Sequence, residues 1–272
     1  MNIDSIQNDQ NRIDKVFCEL RAENKKALIT FVTAGDPDIE TTEQIIYEME
    51  LNGADIIEIG VPYSDPVAEG PVIQAANERA LKNGTRISHI FDMVRKIRIK
   101  TQIPLVLLLY YNSILKYGEE KFFKYCRENG IDAIIVPDLP YEEQNEIMPF
   151  SIKYGVYIIT LVSPVSGYRI KKIASNSKGF IYCISSTGVT GMRETFDTDF
   201  KSLMDVISSV SNVPAAIGFG ISSPEHVRML KNYADGVIVG SAIVKKINEC
   251  KDKNEAVKTV GAFVKELKQS LN

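Results

Sequence analysis

The chain predicts an α/β protein of the (β/α)8 TIM-barrel class, and three observations carry that prediction. Short β-rich apolar runs alternate with amphipathic helical stretches along the chain. Eight such runs fit within the 272 residues, which suits a closed barrel. No Gly-x-Gly-x-x-Gly follows the first run, so the fingerprint of an open dinucleotide-binding sheet is missing.

The elements follow in order. Asp4 to Ala22 reads as an extra N-terminal helix covering the lower end of the barrel. Strands are expected near 27–33, 54–59, 103–110, 131–136, 156–161, 179–184, 214–218 and 235–239, each rich in apolar residues and too short for a helix. Helices are expected over Thr41 to Asn52, Glu119 to Asn129, Tyr141 to Lys153, Phe200 to Val210 and Pro224 to Asn232, with Asn254 to Ser270 as the last outer helix. No linker or composition break divides the chain, so residues 1–272 read as a single barrel domain.

Composition narrows the function classes. With 44% hydrophobic and 25% charged residues and a formal net charge of -3, the chain has no long-range pull toward nucleic acid or acidic membranes. The basic stretch Val94 to Lys100 reads as a solvated helix face. Cys18, Cys126, Cys183 and Cys250 are far apart, without a Cys-x-x-Cys, and are expected as free thiols in the cytoplasm. The first nine residues lack a basic start and an apolar core, and the apolar run from Ile103 to Tyr111 is too short to span a bilayer. A soluble protein without a signal peptide is expected.

In a barrel the chemistry gathers where strands run into their following helices. The polar residues there are Thr33 and Asp36, Glu58, Tyr110, Asp138, Tyr182, Gly218-Phe219-Gly220 and Gly240-Ser241. Tyr110 and Tyr182 read equally well as core aromatics with a satisfied hydroxyl, and Asp138 as a turn or helix cap. Glu58 is the most informative. The strand before it is apolar enough to be buried on both faces, where an ionised carboxylate is costly unless paired or used. Burial should raise its pKa and poise it for proton transfer near neutral pH. Pairing with a neighbour is the other reading.

The loops Gly218-Phe219-Gly220-Ile221-Ser222 and Gly240-Ser241-Ala242 place small residues where backbone N–H groups can approach a phosphate, with helix N-termini behind them. The two histidines, His89 and His226, fall on expected helices and make no His-rich metal site. No lysine ends an expected strand, so a Schiff base lacks its amine, and the cysteines and Ser185-Ser186 lack a nearby base. Carboxylate acid/base chemistry on a small phosphorylated molecule remains.

Four stretches together resemble one family, the α subunit of tryptophan synthase, over about Phe17 to Val244: Phe31-Val32-Thr33-Ala34-Gly35-Asp36-Pro37, the segment Glu58 to Gly70, Gly188-Val189-Thr190-Gly191, and the two phosphate loops. The resemblance implies cleavage of indole-3-glycerol phosphate to indole and glyceraldehyde 3-phosphate, with no cofactor or metal in this chain. It also implies a pyridoxal-phosphate β subunit as partner, in an α2β2 heterotetramer, to which indole passes. Glu58 would be the proton-transfer group and Glu69 would accept the indole N–H, oriented by Tyr182 and Thr190 when the loop from Ser186 to Asp199 closes. Phe31, Leu108 and Phe219 would wall the indole, joined by Ile73; Gly191, Gly220, Gly240 and Ser241 would hold the phosphate; and Pro62, Asp65, Asn112 and Pro140 would meet the β subunit.

At position 69 the family usually carries Asp. The extra methylene moves the carboxylate by about a bond length, so either the loop backbone compensates or the role weakens; compensation is expected, since errors near 1 Å cost ~100-fold. A stand-alone indole-releasing lyase, another phosphate-binding barrel enzyme and a non-catalytic partner of a β subunit stay open as alternatives.

Overall fold

The structure, a computed structural model, describes residues 10–184, 200–218 and 220–272. Its strands are β1 (Ala27–Thr33), β2 (Ile56–Gly60), β3 (Leu105–Leu108), β4 (Ala133–Ile135), β5 (Tyr157–Ile158), β6 (Thr160–Val162), β7 (Ile181–Ile184), β8 (Ala215–Gly218) and β9 (Gly236–Val239). They form one parallel sheet in the order β5-β4-β3-β2-β1-β9-β8-β7-β6. The two ends of that order are one stretch of chain, interrupted at Ile159. Its first half pairs with β4 and its second with β7, because strand tilt staggers the neighbours of so short a strand. The ring therefore closes as a TIM barrel with the eight expected strand positions.

Alternation along each strand builds two cores. Inward residues such as Ile29, Ile56, Val106, Ile135 and Ala216 fill the interior, while Leu28, Val32, Ile57, Leu107 and Val237 pack outward under the helices. Helix α1 (Arg12–Ala22) closes the lower end: its Ile13 and Phe17 join the interior cluster, and Phe17 packs on Phe180 with ring centroids 6.1 Å apart. The part of the expected helix from Asp4 to Asp9 lies outside the described residues.

Around the barrel run α2 (Ile39–Leu51), α3 (Pro71–Lys82), α4 (Ile87–Lys100), α5 (Tyr111–Tyr117), α6 (Glu119–Asn129), α7 (Met148–Tyr154), α8 (Arg169–Ser175), α9 (Phe200–Ser208), α10 (Pro224–Leu230), α11 (Ser241–Glu249) and α12 (Lys253–Leu271). The helix expected over Tyr141 to Lys153 is instead a 3-10 turn, Tyr141–Glu146, followed by α7, whose Pro149 lacks the N–H that an unbroken helix would need there. Arg95, Lys96 and Lys100 of the basic stretch of α4 are exposed, as expected, and Arg98 is the exception. Arg98 is largely covered, bonded to the carbonyls of Gly130 and Ile103 and to Asp132, and burial lowers its pKa to about 10.

Aspartates staple the lower end, each one residue ahead of a strand. Asp55 accepts the N–H of Leu28, Asp132 that of Leu105 and Asp235 that of Ala215, so each fixes the start of a neighbouring strand. Asp132 also pairs with Arg12 and Arg98, both at 2.9 Å, and Asp55 with Lys268 at 2.6 Å. Among the described residues no helix is long and apolar enough to cross a membrane.

Candidate active site

The upper end holds a cavity of about 430 Å³, into which the inward faces of the strands and the loops after them converge. Phe31 and Glu58 are neighbours across the β1–β2 ladder, and Glu58 faces inward because it lies two residues beyond the inward Ile56. Glu58, Glu69, Phe31, Ile73, Leu108, Tyr182, Gly220, Gly240 and Ser241 all line this space. Thr190, Gly191 and Phe219 lie outside the described residues.

Glu58 is 1% exposed, and its Oε1 has no hydrogen-bond partner among the described residues. Burial alone pushes its pKa up to about 8. Among the described residues no structural pairing partner of Glu58 appears, and burial favours the protonated form of its carboxyl group. Tyr182 sits close enough for Glu58 to raise its pKa further, after burial. Gly218 makes room for it: a Cβ there would stand 2.6 Å from the Tyr182 hydroxyl.

Glu69 sits where the loop after β2 enters α3, and Gly70 caps that helix without a side chain. The Tyr110 hydroxyl donates to the Glu69 carboxylate, and the same hydroxyl oxygen accepts the N–H groups of Val67 at 2.8 Å and Ala68 at 2.9 Å. The loop from Ser186 to Asp199, on whose closure the expected orientation by Tyr182 and Thr190 depends, lies outside the described residues. Tyr63 stacks on Tyr110 at 4.6 Å, and Gln74 holds the Glu69 carbonyl at 2.8 Å. Burial raises the Glu69 pKa, opposed by the Tyr110 hydrogen bond and by the N–H groups of Glu69 and Ala68.

The two helix N-termini behind the glycine loops differ. Ser223 caps α10, its hydroxyl taking the His226 N–H, whereas α11 starts at Gly240 with no side-chain cap and leaves its first N–H groups toward the cavity mouth. Gly220 holds φ +66, a left-handed conformation that side chains disfavour. Among the described residues no lysine, arginine or histidine lies in the lining, so an anion here would meet backbone N–H groups and the helix dipole.

Other strand-end residues turn out to be structural. Asp36 forms a two-pronged pair with Arg79 at 2.8 and 2.7 Å, and Asp138 accepts the Tyr111 N–H at the start of α5. Asp65, Asn112 and Pro140 are exposed beside the mouth, but Pro62 is buried and offers no surface. Sequence reasoning did not assign Val67, Ala68, Ile135, Pro137, Leu161, Ile184 and Ile238 to the lining. Inward alternation on β6, β7 and β9 was the signal for three of them. No group of three or more His, Cys, Asp or Glu among the described residues is arranged to hold a metal ion.

Fold and cavity together place the chain among the (β/α)8 enzymes. Comparison with known proteins is more particular. The sequence model of the family "Tryptophan synthase alpha chain" matches residues 17–272, beyond the Val244 limit read from the sequence. The tryptophan synthase alpha chain of Thermoanaerobacter sp. (strain X514) is 54% identical over 261 residues, covering 96% of this chain and 100% of that one. That of Clostridium kluyveri (strain ATCC 8527) is 51% identical over 96% of this chain and 99% of its own. The crystal structure of the alpha chain from Legionella pneumophila superposes with a TM-score of 0.88 at 34% identity, covering 97% of this chain and 98% of that one. The structure of Mycobacterium tuberculosis tryptophan synthase gives 0.89 at 33% identity, over 97% and 99%. The chain belongs to the tryptophan synthase alpha chain family.

Proposed function

We propose that this chain, one barrel domain over residues 1–272 working in the cytoplasm, is a carbon–carbon lyase. It cleaves indole-3-glycerol phosphate to indole and glyceraldehyde 3-phosphate. The observation that carries the reading is Glu58, a buried carboxyl group without a partner among the described residues, in a cavity with a second carboxylate and an uncapped helix N-terminus. Protonated Glu58 gives its proton to C3 of the indole ring, which makes the bond to the glycerol carbon labile. The carboxylate then takes the proton of the glycerol hydroxyl as that bond breaks, so the electron pair returns to the ring, an aldehyde forms and Glu58 regains its proton. Glu69 accepts the indole N–H and offsets the positive charge that develops on the ring.

Phe31, Ile73, Leu108 and Tyr182 wall the indole, and Gly220, Gly240 and Ser241 seat the phosphate on the α11 N-terminus. By resemblance Phe219, Thr190 and Gly191 complete these two sets. The chain needs no cofactor of its own in this reading. Asp65, Asn112 and Pro140 dock a β subunit that carries pyridoxal phosphate, in an α2β2 assembly, and indole passes to it.

The test is indole release from indole-3-glycerol phosphate with and without an added β subunit. Slow release alone and faster release with the β subunit are expected. No release in either case contradicts the reading, and full release unchanged by the β subunit assigns a stand-alone lyase instead.

A further inference from the structure

The bonding capacity of one hydroxyl group assigns a role that the sequence left open. A phenol has one hydrogen to donate, and its oxygen accepts the rest. At Tyr110 the oxygen already accepts the N–H groups of Val67 and Ala68, so its hydrogen is committed to Glu69. The Glu69 oxygen that meets it must then accept, and a hydrogen donated there favours the ionised form of the group. Tyr110 is itself 3% exposed, and its ring is fixed by stacking on Tyr63, whose hydroxyl Asn112 reaches at 3.5 Å.

The surroundings of Glu69 give the bond its importance. The titratable groups facing it are Tyr110 after β3, Asp138 after β4, and Glu58 on β2 and Tyr182 on β7 across the cavity; Asp65 of its own loop is bonded to Ser64. Asp138 and burial both favour protonation of Glu69, and no cation among the described lining residues opposes them. Besides the N–H groups of Glu69 and Ala68, the Tyr110 O–H is the donor that works the other way. Two carboxyl groups in one cavity thus differ in what opposes burial: among the described residues Glu58 has no partner, whereas at Glu69 the Tyr110 hydrogen bond and backbone N–H groups lower a pKa that burial raises.

We infer that Tyr110 is a positioning residue that favours the ionised form of Glu69 and locks its carboxyl group to the backbone of its own loop, which adapts the site to glutamate at this position. The inference rests on the proposed lyase reaction only for its catalytic consequence. The Tyr110–Glu69 coupling is independent of it.

Tyr110→Phe removes the hydroxyl and keeps the ring that stacks on Tyr63. Two measurements test the inference. The first is the titration of Glu69 by carboxyl 13C NMR, with Glu69→Gln used to assign the signal. A hydrogen bond to a charged group is worth enough to move the midpoint up by about one to two pH units in Tyr110→Phe. Tyr63→Phe, which keeps the stack, should leave it in place. The second is the pH dependence of kcat/KM for indole release in the presence of the β subunit, where the acid limb should move up by the same amount and the loss should be greatest at low pH. Affinity for glyceraldehyde 3-phosphate should not change. An unmoved Glu69 midpoint overturns the inference even if the parent releases no indole. A parent that releases indole, with the acid limb unmoved in Tyr110→Phe, overturns it as well.

Discussion

Asp132 at the foot of β4 and Glu58 on β2 are both buried carboxyl groups, 4% and 1% exposed, in one barrel. The lower end meets Asp132 with Arg12, Arg98 and the Leu105 N–H, whereas the upper end leaves Glu58 with a bare Oε1. The same residue chemistry therefore does two jobs. Where cations and N–H groups converge, burial still raises the carboxyl pKa but Arg98, the Leu105 N–H and Arg12 oppose it, and the group ties helices and strands together. Where none converge, burial keeps the proton on, and the group becomes an acid that can be used.

The largest effect is expected at the unpaired group. Glu58→Gln keeps the shape and hydrogen-bonding capacity but has no proton to exchange, so turnover in the indole-release assay should fall ~100- to 10,000-fold with substrate still bound. Turnover within tenfold of the parent would break the comparison from the catalytic side. At the opposite end, Asp132→Ala leaves Arg98 buried without its counter-charge and should cost about 3–5 kcal/mol in urea unfolding, with little change in turnover per folded molecule. A loss under about 1 kcal/mol would show that the lower-end pairing is not what holds Arg98.

The pH dependence of stability separates the two groups further. Glu58 rises from the ordinary 4.5 to about 8 on folding, so between those values the folded protein binds more protons than the unfolded chain. Stability must then fall as pH rises through that window, and the contribution stops changing above about 8. Glu58→Gln should remove this fall and unfold at higher urea than the parent at pH 8 by on the order of a few kcal/mol, with the gain shrinking toward pH 4.5. Identical slopes for parent and variant would contradict it.

The smallest expected effect concerns Glu69. If its loop is built for glutamate, Glu69→Asp withdraws the carboxylate from both Tyr110 and the indole N–H and should slow turnover about tenfold, while Glu69→Ala should be slower still. A faster Asp variant would show that the loop has not adjusted to the longer side chain.

Much of this was legible in the sequence, and the reasons are physical. Strands buried on both faces read as apolar runs, so all eight positions were found, and Glu58 stood out because a charge interrupts such a run. The break at Ile159 was not legible, since it depends on how the neighbours on either side are staggered. The Tyr110–Glu69 bond joins residues 41 apart, and nothing in the local pattern of either announces the other. Arg98 was misread because two of its partners, Gly130 and Asp132, lie 32 and 34 residues away and leave no trace in α4 itself.

The central claim is that Glu58 keeps its proton at neutral pH because burial raises its pKa and none of the described residues pairs with it. Carboxyl 13C NMR on glutamate-labelled protein, with Glu58→Gln removing the signal in question, tests this most directly. The account expects a protonated carboxyl at pH 7 that titrates near 8. A Glu58 signal already ionised at pH 6 would contradict it.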